Sequence, residues 1–407
     1  MTSGHCQRIA IFSRYCLADQ YDLAAEFCQM LHILARHSKV LHLSLRGDRP
    51  PPSIPPETQV VELPLSISRT NPKDIFVKTC LLYALLPLVA VRLRMFRPDL
   101  VFITETLPLF GAALKLLAGA RVATAYGDWH LHNFLGRKKW ARPLLRLAEC
   151  IDRFEVRRLD GFFCRAGSAA ERLRMWGVDK ELIRVVHDAP DPTAFFPRPA
   201  DSLRQQCGFN PDDIVLCYHG VMHQGKGLDR LLEWIADLLR EGHKLKLVLI
   251  GDGPERQRLQ MRASALGIDK HVMFTGWLRT IKEVGDYCNA ADICVVMRTA
   301  TEANDRVVPG ALLHCMACRK VVIAPRLSGV AEVITDGVNG FLFAPANGED
   351  FKQLMRRLLA SRSQWERVAE QAYRDVQQHY SVDATAAKYA SAIMHFAQYK
   401  RLGGGGL

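Results

Sequence analysis

The sequence predicts an α/β protein built on parallel sheets, and three observations carry that expectation. Short apolar runs, Leu245–Ile250, Ile293–Met297 and Val321–Ala324, alternate with segments of helical period. Such runs suit strands buried on both faces and joined by covering helices. Turn residues gather where the runs end: Gly251-Asp252-Gly253-Pro254, Gly276-Trp277 and Pro309-Gly310. That edge of an open α/β sheet is where ligands bind. Finally, 407 residues are too many for one ordinary core and suit two domains.

Composition narrows the class. With 49% hydrophobic and 24% charged residues the chain is globular, not disordered. The opening MTSGHCQRIAIFSRYC lacks an apolar signal core, and no apolar run reaches the length of a membrane span. Twelve cysteines without disulfide spacing suit a reducing cytoplasm. Cys315-Met-Ala-Cys318 has no second pair or His cluster nearby in sequence and reads as helix packing. The net charge of +12 suits phosphate-bearing ligands, anionic membrane or nucleic acid, but no nucleic-acid motif supports the last.

In order along the chain, Arg8–Ser13 reads as a strand, Tyr21–Arg36 as a helix and Val40–Leu45 as a second strand. Arg49–Pro56 is a Pro-rich surface loop. Ile75–Phe96 is strongly apolar around Pro87. It reads either as a buried helix kinked at the proline or as a helix meeting a membrane. Arg97–Ile103 follows as a strand, and Val122–Asp128 closes another. His130–Lys180 holds twelve Lys/Arg against six Asp/Glu, with Trp129, Phe134 and Trp140 beside Arg137-Lys138-Lys139. That mixture describes either an interfacial surface or a solvated basic face. Pro-rich Phe196–Ala200 reads as an interdomain linker. Ile214–Gly220 opens the second domain, and Ser381–Leu402 is a last amphipathic helix. The expected domains are 1–197, 198–380, a returning helix at 381–402 and a flexible tail at 403–407.

Several ordered segments of the second half resemble one family. They are Lys246–Pro254, Val272–Gly276, Ala290–Ile293, Met316–Cys318 and Gly329–Leu342. Together they are similar to the donor half of the retaining glycosyltransferases of family 4. The likeness is close over Ile214–Ser361 and loose before it. It implies the GT-B arrangement of two facing Rossmann-like domains, with a nucleoside diphosphate sugar as co-substrate and no further cofactor. It also implies front-face attack with the leaving phosphate as base, which needs no protein nucleophile. Many family members take lipid-linked acceptors.

Residue by residue, the resemblance implies that Lys226, in Gly220-Val-Met-His-Gln-Gly-Lys226-Gly227, binds the donor diphosphate. Gly220 and His223 share that strand-to-helix turn, where backbone N–H groups and the helix end favour anions. Val221 replaces the family's usual Arg. Two glutamates expected eight positions apart fall at Arg306 and His314. Arg306 then becomes a bidentate phosphate ligand, and His314 a neutral partner for ribose hydroxyls. Glu302 and Asp305 are either substitutes for the lost sugar-binding glutamate or loop charges. Pro309 and Gly310 leave free N–H groups at a helix start. Gly253 lies in the next turn. Trp277 either stacks on the nucleobase or wedges into the core. In the first domain Tyr126 takes a position usually held by His, and Asp128 is either a strand-end cap or a sugar contact. No Asp-x-Asp occurs, so no metal is expected on the diphosphate.

The expected function is a retaining, metal-independent glycosyltransferase of cell-surface polysaccharide or glycolipid assembly. It would be cytoplasmic or peripheral on an anionic membrane. The altered signature positions leave one alternative, a non-catalytic homologue acting as a scaffold or regulatory subunit.

Overall fold

Among the described residues thirteen short strands, most of them buried, line up in two wholly parallel sheets. The computed structural model describes residues 6–13, 24–46, 54–65, 80–105, 107–126 and 142–399. The first unit comprises Met1–His187 and Val382–Leu407, the second Asp188–Ser381.

In the first unit the strands are β1 (Gln7–Ser13), β2 (Ser38–Leu45), β3 (Gln59–Leu63), β4 (Leu100–Ile103), β5 (Arg121–Tyr126), β6 (Gly161–Cys164) and β7 (Ile183–Val185). Their order is β3-β2-β1-β4-β5-β6-β7. The chain winds outward from β1 to one edge, then starts again at β4 toward the other. The helix Val382–Gln398 belongs here and packs on the helix Ala24–Ala35, with Gln29 Nε2 donating to Asp383 Oδ1 at 2.9 Å. Gly161 on β6 lets the same helix lie close on the sheet, because a Cβ there would stand 2.4 Å from the Phe396 ring.

Pro87 does not kink a buried helix. It opens the helix Leu86–Phe96, a position where its missing N–H costs nothing. Val89, Ala90 and Leu93 face the core, while Leu88, Val91 and Met95 stay exposed. Arg137–Trp140 and residues 403–407 lie outside the described residues.

The second unit carries β8 (Ile214–His219), β9 (Leu245–Ile250), β10 (Val272–Gly276), β11 (Ile293–Val295), β12 (Val321–Pro325) and β13 (Phe341–Phe343). Their order, β10-β9-β8-β11-β12-β13, repeats the same winding. Both units are therefore Rossmann-like, as the alternation of runs predicts. The alternate residues of β8 explain its burial: Ile214, Leu216 and Tyr218 enter one core, Val215 and Cys217 the other.

The boundary differs from the expected 197/198. Ala194 and Phe195 are buried in the second core, and Arg198 Nε donates to Asp286 Oδ1 at 2.7 Å. Asn289 ties down both Phe196 O and Arg198 N at 3.0 Å. The Pro-rich stretch is thus fastened to the second unit and is not a free linker.

Candidate functional site

A doubly wound sheet changes direction between its first and fourth strands, and the diverging loops there leave a crevice. In the second unit these strands are β8 and β11, paired Ile293↔Leu216 and Cys294↔Cys217. The loops leaving them are stitched together. The Gly225 carbonyl accepts from Thr299 N at 2.9 Å, Thr299 Oγ1 at 3.0 Å and Asn304 Nδ2 at 2.9 Å. Asn304 Oδ1 in turn accepts from Arg298 Nη1 at 3.2 Å.

Lys226 ends the short turn Gln224–Lys226 and is half-buried. Among the described residues no carboxylate pairs with it. Burial and, after it, the charge of Arg298 lower its ammonium pKa to about 8. Two cations brought together in a partly dry crevice repel, and an anion placed there relieves both burial and repulsion. Gly227, at φ +67°, then turns the chain into the helix Leu228–Arg240.

Gly253 has a different role from the expected one. At φ +154° its Cβ would meet the Met222 carbonyl oxygen at 2.4 Å, so glycine lets two turns touch. Its N–H donates to its neighbour's carboxylate, Asp252 Oδ1, at 2.7 Å and is not offered to a ligand. Gly220 N is likewise used, donating to Ile250 O at 3.0 Å. His223 Nδ1 accepts from Gly225 N at 3.1 Å, so this exposed ring shapes the turn.

The helix Gly310–Ala317 starts behind buried Pro309, and no side chain caps it. His314, half-buried on its second turn, lies flat on Phe195, with ring centres 4.0 Å apart and planes at 8°. His219 lies near both rings, its plane at 11° to that of His314 with centres 5.3 Å apart and its centre 6.2 Å from that of Phe195. Burial, then the adjacent His219, hold the His314 pKa well below its ordinary value; burial chiefly lowers His219 to about 4. Both rings are neutral at pH 7, and the sheltered His314 Nδ1 has no hydrogen-bond partner. A neutral imidazole can donate to or accept from a hydroxyl.

Other expected residues are placed differently. Asp305 does not reach for a sugar: its carboxylate accepts from Ser328 N at 2.9 Å and Ser328 Oγ at 2.7 Å, capping the helix Ser328–Ala331. Arg306 closes the turn Glu302–Asp305 and is half-buried, whereas the side chain of Glu302 is outside the described part. Trp277, just past the carboxyl end of β10, is 64% exposed, which rules out the core wedge. Tyr126 is corrected outright. It is 2% exposed in the first core, edge-on to Phe162 and Trp176, and burial raises its phenol pKa. Asp128 lies outside the described residues.

Arg298, Asn304, His219 and Phe195 were not expected. Arg298 stands one residue past the run Ile293–Met297, at the strand's carboxyl end, and that position was its only signal in the sequence.

Residues 200–375 match the family described as Glycosyl transferases group 1. The chain is 28% identical over 251 residues to a D-inositol 3-phosphate glycosyltransferase of Streptomyces bingchenggensis, covering 58% of this chain and 53% of that one. It is 29% identical over 188 residues to an alpha-D-kanosaminyltransferase of Streptomyces kanamyceticus, covering 46% and 47%. The chain thus spans about half the length of the curated relatives it matches. Among solved structures, sucrose-phosphate synthase of Thermosynechococcus elongatus superposes with a TM-score of 0.71 at 17% identity, over 95% of this chain and 98% of that one. HepE of Anabaena, in complex with UDP, gives 0.69 at 17% identity over 95% and 100%. These structural likenesses show the GT-B fold.

Proposed function

Since the second unit of this chain belongs to the group 1 glycosyltransferases, we propose that the whole chain transfers a sugar from a nucleoside diphosphate sugar to an acceptor hydroxyl. The reaction is retaining and independent of metal, in cell-surface polysaccharide or glycolipid assembly with a lipid-linked acceptor at an anionic membrane. One observation carries this reading. Lys226 and Arg298 meet at the switch point between β8 and β11, beside the uncapped start of the helix Gly310–Ala317. Fixed positive charge at that spot suits a diphosphate, first as substrate and then as leaving group. His314 supplies a neutral imidazole for ribose hydroxyls, and Trp277 offers a face to the base. The leaving phosphate takes the acceptor proton, so the site needs no nucleophilic side chain. The HepE complex with UDP supports a nucleotide in a fold of this kind.

Calorimetry with UDP, GDP and ADP tests the donor site. A charge-assisted hydrogen bond contributes about 1.5–3 kcal/mol, so Lys226→Ala weakens binding of the preferred nucleotide about 10- to 100-fold. Unchanged affinity removes Lys226 from the site. Tight binding with neither transfer nor hydrolysis of the matching sugar nucleotide favours the non-catalytic alternative.

A further inference from the structure

The second core contains a cluster that the donor reading does not use. Cys217 and His219 point to one face of β8, Cys294 lies on β11, Cys288 on the helix Ile281–Ala290, and Cys315 and Cys318 at the end of the helix Gly310–Ala317. The five cysteines are buried and all are free thiols. The thiol of Cys288 neighbours those of Cys217, Cys294, Cys315 and Cys318. His219 Nε2 and the Cys288 and Cys315 sulfurs all lie within 4.8 Å of one another.

Buried cysteines usually pack as small apolar side chains, and five such thiols alone would be explained that way. His219 is the residue that packing does not explain. Its Nε2 is sheltered and, among the described residues, has no hydrogen-bond partner, while the ring is hydrogen-bonded at the Ala311 backbone. A ligating histidine is held in this way: one nitrogen is anchored to the main chain and the other directs its lone pair into a pocket. The pocket it faces is lined with thiols.

We propose that His219 Nε2, Cys288 Sγ and Cys315 Sγ form a site for a thiophilic cation, with Zn2+ as the ion that suits one imidazole and two thiolates. Metal–sulfur and metal–nitrogen distances of about 2.3 and 2.0–2.1 Å require the three atoms to close by roughly 1 Å, a shift that side-chain rotation supplies. Cys217, Cys294 and Cys318 surround the trio and hold a further thiol for the fourth position. The half-exposed edge of His219 gives the ion a way in. Binding displaces the two thiol protons to solvent, with no change of oxidation state. The ligands come from three separate elements, which is why Cys315-x-x-Cys318 alone did not reveal the site. The site stands independently of the sugar-transfer reading.

The test uses the reduced, metal-stripped full chain. Zn2+ content after dialysis and the visible spectrum with Co2+ are measured for wild type, Cys288→Ala, Cys315→Ala, His219→Gln and, as a control thiol of the same unit, Cys207→Ser. One Zn2+ per chain, a thiolate-to-cobalt charge-transfer band and a Zn2+-dependent rise in Tm are expected for wild type and Cys207→Ser. Each ligand variant loses more affinity than the roughly 10- to 100-fold that removing an outer-shell partner costs. Circular dichroism of the metal-free variants identifies those that fold, and only those are compared. Absence of stoichiometric Zn2+ in wild type, or wild-type affinity in a folded Cys288→Ala chain, overturns the proposal.

Discussion

Lys226 titrates far below an ordinary lysine, and that makes its role measurable. Below its pKa of about 8 the free site carries the cation; above it the ammonium is lost. A bound diphosphate favours the charged form and raises that pKa, so binding takes up a proton above pH 8. Nucleotide affinity is therefore highest at neutral pH and falls as pH rises through about 8, by at most about tenfold per unit. Lys226→Arg keeps its charge throughout and flattens the profile. Calorimetry from pH 7 to 10 compares the two chains; parallel profiles would mean that Lys226 does not contact the phosphates. The residue itself was legible, because a Gly-rich strand-to-helix turn announces an anion site. Its partner was not. The family resemblance pointed to Arg306 and gave no sign of Arg298, which lies beside Lys226 because β11 is next to β8. Tyr126 misled for a related reason: strand-end position does not tell which side chains the core swallows.

The helix Ile281–Ala290 shows how one element serves both packing and site. Gly285 in its middle faces the segment that carries Phe195, and a Cβ there would stand 1.9 Å from the Ala194 carbonyl oxygen. Glycine to alanine inside a helix ordinarily stabilises by about 1 kcal/mol. Here the clash is with backbone, and overpacking of that kind costs about 1–3 kcal/mol, enough to reverse the sign. Gly285→Ala should therefore lower Tm and, by moving Phe195 under His314, weaken nucleotide binding as well. A stabilised variant would mean that the Ala194 segment yields freely. Thr280 and Glu283 start this helix, the hydroxyl accepting from Glu283 N at 3.2 Å and the carboxylate from Arg279 N at 3.0 Å. Such helix starts are set by residues close in sequence, as are the apolar strands that the sequence analysis found. The close approach at Gly285 was not, since its partner is far away in sequence.

Charge and apolar surface are unevenly spread over the first unit, which bears on where the chain works. The helices Leu86–Phe96, Phe110–Ala118 and Arg142–Val156 share one core, so they cover the same side of the first sheet. Outward they expose Leu88, Val91, Met95, Leu116, Leu144, Leu147 and Phe154. Arg92, Arg94, Arg146, Arg153 and Arg158 stand among these, with Arg158 over the Phe154 ring at 3.4 Å. No helix among the described residues is long and apolar enough to cross a membrane. A basic and apolar face fits the plane of an anionic bilayer instead. Each Lys or Arg near such a surface contributes about 1 kcal/mol, and the attraction decays within a Debye length of roughly 8–10 Å, so binding must weaken with salt. Liposomes of graded anionic lipid content, sedimented at low and high salt, measure this directly. Met95→Asp with Leu147→Asp, both at exposed positions, should abolish the sedimentation, and Arg92→Glu with Arg146→Glu should reduce it most at low salt. Nucleotide affinity should persist in both double variants, because Lys226 and Arg298 belong to the other unit. Sedimentation that ignores lipid charge, or none at low salt, would favour a soluble acceptor over a lipid-linked one.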